Sequence, residues 1–200
     1  MSSSAFVHEV AATAARLIVE EGMEYGPAKR RAAKALGKQC TRPVDLPDND
    51  LVEDEVRAYL QIFCADTQPD ELRALREAAI LWMERLQEFR PYLTGAAWRG
   101  TATRLNSVHL QLFCDDSKQA ELALIDRKVD YDVGSLTGPR GEMVDVLSVS
   151  SPSAALGERV TVHLTILDHD DLRGALKRGA DGRTERGDLP ALRRLMQETT

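Results

Sequence analysis

The stretch that decides the fold is SVHLQLF, Ser107 to Phe113. Val108, Leu110 and Leu112 alternate with Ser107, His109 and Gln111. A two-residue period of this kind predicts a strand with one apolar and one polar face. Upstream, PYLTG (Pro91 to Gly95) reads as a short extended segment stopped by glycine. Downstream, DSKQAELALIDRK has the spacing of a helix and VDYDV is extended. EMVDVLSVSS and ERVTVHLTILD then predict two more strands. The second alternates Val160, Val162, Leu164 and Ile166 against Thr161, His163 and Thr165. The end of the chain, from His169, predicts a short helix, a Gly/Arg loop and a last helix capped by Asp188. Asp168-His169-Asp170-Asp171 reads as a strand end followed by acids at the positive end of a helix.

The first half of the chain has a helical period instead. Phe6, Val10, Ala14, Leu17 and Ile18 share a stripe. GPAKRRAAKALG carries Pro27 in its first turn and closes on Gly37. Asp50 with Glu53 suggests a capping box for a third helix. A fourth helix begins near Pro69 and carries Leu72, Leu75, Ala79, Trp82, Met83, Leu86 and Phe89 on one side. The only evident linker is RPVDLPDND, Arg42 to Asp50. Helices first and strands later predict an α+β protein, with a helical region over 1–90 and a mixed-sheet core over 91–200.

Bulk properties narrow the class. The chain has 200 residues, 43% hydrophobic and 29% charged, as in an ordinary globular protein. No apolar run approaches the roughly 20 residues of a membrane helix. MSSSAFVHEV lacks the pattern of a secretory leader. Cys40, Cys64 and Cys114 are widely spaced and odd in number, which fits neither a disulfide framework nor a zinc knuckle. A cytoplasmic protein is the expectation. The net charge of -6 argues against a nucleic-acid coat. Lys29, Arg30, Arg31, Lys34, Lys38 and Arg42 form a basic cluster without interleaved aromatics, which reads as a solvated helix face. No GxxxxGK[ST] loop, GxSxG, HExxH or CxxC occurs.

One register points to a function. A segment typical of minimal nucleotidyltransferases, FGSRARGTARPDSDIDL, lies without a gap on Thr94 to Leu110. Gly95 takes the place of the motif glycine, Arg99-Gly100-Thr101-Ala102 match RGTA, and Leu110 matches the closing leucine. The later RKVDYDV puts Asp130 where such families carry a third acid. The chain thus resembles the minimal, polymerase-beta-type nucleotidyltransferases, and a bacterial protein is the expectation. The resemblance implies a nucleotidyltransferase-like core and a nucleotide cradle made of Gly95, Ala96, Arg99, Gly100, Thr101 and Arg104. In that family two Mg²⁺ ions, held by carboxylates, clamp the attacking and leaving oxygens of an in-line displacement.

The chain departs from this pattern at the chemistry. Ala96 replaces the motif serine, and Ser107 and His109 stand at the two aspartate positions. Only Asp130 remains, and neutral hydroxyl and imidazole groups are poor ligands for magnesium. The resemblance therefore implies a degenerate member that keeps the fold and a nucleotide or phosphate site and loses or alters the reaction. A second reading is an active, Mg²⁺-dependent transferase drawing carboxylates from Asp130, Asp132 and Asp145. A third is an interaction protein with a protein partner on its helical half. No cofactor is required by the residues alone, and neither a membrane nor a nucleic-acid partner is expected. His109 is by default a polar residue on an open sheet face, or else an acid–base group facing Asp130. Trp98 falls in the turn where the family carries a smaller residue, and would cover a cavity left by the metals.

Overall fold

A computed structural model describes residues 3–37, 46–175 and 184–198. Lys38, Cys40, Arg42 and most of the predicted Gly/Arg loop lie outside the described residues. The chain forms two compact units, 1–69 and 70–200. The sequence pattern places the change from helices to strands at residue 90, later than this division at residue 69. The apolar stripe of the fourth helix, from Leu72 to Leu86, packs into the same core as the strands and belongs with them.

The first unit is helical: α1 Ser3–Glu21, α2 Tyr25–Ala35 and α3 Asn49–Phe63. Its core is built from Val10, Ala14, Ala28, Ala32, Val52 and Val56, all fully buried. Small residues let the helix axes approach closely while still excluding water. The cap of α3 is Asp48, whose side chain accepts from Leu51 N at 2.8 Å, so the expected capping box at Asp50 sits two residues too late. In the basic cluster, Lys29 Nζ donates to Pro47 O and Asn49 Oδ1, and Arg31 pairs with Glu21. These contacts accord with a solvated structural face.

The second unit is α+β. Helix α4, Gln68–Arg85, leads through a 3-10 turn at Gln87–Phe89 into β1, Tyr92–Thr94. Then follow α5 Gly95–Arg99, β2 Val108–Phe113, α6 Ser117–Asp126, β3 Tyr131–Thr137, β4 Met143–Ser153, β5 Glu158–Leu167, α7 His169–Ala175, β6 Arg186–Gly187 and α8 Leu189–Glu198. The strands form one six-stranded sheet in the order β3-β4-β5-β2-β1-β6. Among the described residues only the β2–β5 pair is parallel.

The predicted alternation holds. Leu93, Val108, Leu110, Leu112, Leu147, Val162 and Leu164 point to one face and are wholly buried with Trp82, Met83, Leu124 and Leu192 from the helices. Complete burial of a leucine side chain stabilises by roughly 1.5–3 kcal/mol, so this layer fixes the strand register. The opposite parity, with Thr94, His109, Gln111 and His163, forms the second face. As predicted, Asp168 and Asp188 cap the last two helices, accepting from Asp170 N at 2.8 Å and Ala191 N at 2.9 Å. Among the described residues no helix is long and apolar enough to cross a membrane.

Candidate functional site

Strand pairing builds one continuous row across all six strands of the polar face. Asp132 pairs with Ser148, Ser148 with His163, His163 with His109, His109 with Thr94, and Thr94 with Arg186. Paired residues project to the same side of a sheet. The centre of the row is the histidine pair, with ring centroids 5.0 Å apart and planes inclined at 32°. Ser148 Oγ lies 2.8 Å from His163 Nδ1 and fixes that ring from the far side. Toward the ends of β2 and β5 the same face turns apolar. There Phe113 and Leu167 are buried with Tyr92, Val144 and Leu172, and Tyr92 meets Phe113 edge-on at 5.7 Å.

The segment after β1 folds back toward this row. Gly95 has φ +72, and a Cβ there would come 3.7 Å from His109 Cδ2, so the glycine backbone lies against the imidazole. The expected turn is a single helical turn that closes on Gly100 at φ +87, with Gly100 N and Thr101 N both donating to Ala96 O. Arg76 of α4 secures it from below. This guanidinium is buried, donates to Ala97 O at 3.0 Å and Trp98 O at 3.4 Å, and its pKa is lowered by burial. Arg76 belongs to no motif in the sequence. A basic residue inside an apolar helical stripe is the signal that could have found it.

Trp98 does not stand alone over an empty metal site. Its indole packs on the backbone of Gly187, where a Cβ would overlap the ring, and Nε1 donates to Thr184 O at 2.6 Å. Arg99 pairs at 3.8 Å with Glu185, and Thr94 Oγ1 donates to Glu185 O at 3.2 Å. The α5 turn thus clamps β6. Arg104 turns elsewhere, binding Glu158 through Nε and Nη2 at 3.1 Å while its N–H donates to Glu71. Thr101 is buried, with no partner for Oγ1. Ser107 is half-buried just ahead of β2, and Ala96 is half-buried in α5.

The acids do not assemble as expected. The neighbour of β2 is β5, so His163, not Asp130, lies beside His109. Asp130 is exposed ahead of β3, and Asp132 on β3 stands three strands from His109. At about 4.8 Å per strand that is roughly 14 Å. Asp145 shares the parity of the buried Leu147, and its charge acts on Lys118 of α6, so it faces away from Asp132. Among the described residues no three His, Cys, Asp or Glu groups converge as a metal site. The magnesium pair that the resemblance implies asks for several carboxylate oxygens at one point. The donor set here, hydroxyls, imidazoles and a guanidinium, does not fit it.

The signal for the histidine pair was present: the tripeptide Val-His-Leu occurs in both β2 and β5 and aligns residue for residue. Two short strands with the same alternation can pair in parallel only through a crossover, here α6, β3 and β4.

No protein-family model matches the chain, and no curated protein does. Among solved structures it is similar to the Cid1 poly(U) polymerase with MgGTP bound, at 16% identity and a TM-score of 0.34. The alignment takes in 50% of this chain and 32% of the polymerase, so the chain matches about a third of that protein's length.

Proposed function

We propose that the chain is a degenerate nucleotidyltransferase-fold protein that binds the phosphate of a nucleotide and does not run the two-metal transfer reaction. The observation that carries this reading is the Gly95–His109 contact. The glycine turn meets the strand face at the position where the register with the minimal nucleotidyltransferases puts a metal-holding acid, and an imidazole stands there. Ser148 and the histidine pair offer donors to an anion, and no carboxylate of the row lies on β2 or β5. Backbone approach at a glycine suits a phosphate because no Cβ intervenes.

Incubation with α-labelled nucleoside triphosphates and Mg²⁺ or Mn²⁺ tests the reading. The expected result is no transfer to any acceptor. Metal-dependent transfer that is lost in Asp132→Asn would overturn it in favour of an active enzyme using Asp130, Asp132 and Asp145.

A further inference from the structure

We propose that the anion on this face is held by protein cations in place of a divalent metal, with the Arg186 guanidinium and the His109–His163 pair gripping a phosphate or the phosphate chain of a nucleotide. The inference rests on the phosphate-binding reading above and adds to it the source of the countercharge.

Arg186 belongs to a two-residue strand, yet its backbone is held from three sides. Arg186 and Gly187 pair with Thr94 and Leu93 of β1, Thr94 Oγ1 holds the carbonyl of Glu185, and the Trp98 ring seats on Gly187. So much fixation of so short a strand positions one side chain. That side chain crosses β1 and donates from Nη1 to Gln111 Oε1 on β2. Gln111 is two residues from His109 on the same face, roughly 7 Å along the strand. The guanidinium therefore reaches the neighbourhood of the histidine pair.

Among the described residues Arg186 forms no ion pair, although the charge of neighbouring Glu185 partly offsets its burial. Its Nε is buried with no partner, and burial lowers its pKa. Glu185, next in sequence, takes its ion pair with Arg99. Arg76 makes the contrast: more deeply buried, it has two carbonyl acceptors. A partly buried cation with an unused N–H is costly unless an anion completes it. A guanidinium fork beside imidazole and hydroxyl donors suits a phosphate. Within the row of paired residues the acid is Asp132, at the opposite end of the sheet from Arg186.

Isothermal titration of the whole chain with ATP and, separately, with pyrophosphate, each in EDTA and in MgCl₂, decides the matter. Both ligands are expected to bind in EDTA. Arg186→Gln and His109→Gln should each weaken binding about tenfold or more, the worth of one charge-assisted hydrogen bond. Binding of ATP but not pyrophosphate would still support the grip, and would assign its phosphate to a nucleotide. Binding only with Mg²⁺ would overturn the metal-free grip and leave the nucleotide reading standing. Binding in EDTA that neither variant weakens would place the anion elsewhere and overturn it too. No binding of either ligand in either buffer would overturn both readings. Should Arg186→Gln fail to fold, His109→Gln on the interior strand carries the test alone.

Discussion

Replacing Gly187 by alanine is the sharpest structural perturbation of this site. A Cβ at that position would overlap the six-membered ring of Trp98, with Cζ2 2.7 Å away and two further ring atoms nearer still. The indole cannot swing aside freely, because its Nε1 donates to Thr184 O at 2.6 Å. Overpacking of a filled site costs about 1–3 kcal/mol, and loss of the hydrogen bond adds about 0.5–1.5 kcal/mol. A destabilisation of roughly 2–4 kcal/mol follows, or a fall in Tm of about 6–12 °C for a chain of this size. Thermal and denaturant unfolding, followed by tryptophan fluorescence, measures it. Trp98→Ala removes the obstacle, so Gly187→Ala made in that background should cost less than about 0.5 kcal/mol. Equal penalties in both backgrounds, or no penalty in the parent chain, would refute the packing of Trp98 on β6 and with it the fixation of Arg186.

Other expected outcomes are more direct. Leu110→Ala empties a fully buried position in the central strand and should lower stability by about 2–5 kcal/mol in urea unfolding. Arg76→Met leaves the carbonyls of Ala97 and Trp98 without their donor and should cost about 1–3 kcal/mol while loosening the α5 turn, seen as faster amide exchange at Gly100 and Thr101. Gly95→Ala meets ordinary contact distances but a left-handed backbone, so its cost should be about 1 kcal/mol and come from strain alone. Burial raises the pKa of the Cys114 thiol, and Asp116 and Asp115 add to the shift. Its alkylation should therefore trail that of the less buried Cys64 at neutral pH and catch up only as the pH rises.

The longer elements of the second unit were legible because β2 and β5 keep a strict alternation and α4 a stripe. Their order in the sheet was not, since a local period says nothing about which strand lies beside which. Reading RKVDYDV as the partner of β2 placed Asp130 next to His109, whereas the crossover brings β5 there and carries β3 to the edge. The repeated Val-His-Leu was the better guide, because identical alternation lets two strands pair in register. Arg186 had no signal at all: a two-residue strand has no period, and what makes it matter is its contacts with Trp98, Thr94 and Gln111. The helical stripe from Leu72 to Leu86 was read correctly, but periodicity does not say which core it enters. In the same way Asp48 and Asp50 both offer a plausible cap for α3, and only the path of the backbone chooses between them.

On the proposal made above, the face carrying His109 and His163 receives an anion without a metal. Imidazole resonances of a ¹⁵N-labelled chain, followed while pyrophosphate is added in EDTA, test it most directly. Both the His109 and the His163 signals should shift and saturate together. Signals that stay unmoved, or that respond only once Mg²⁺ is supplied, would contradict it.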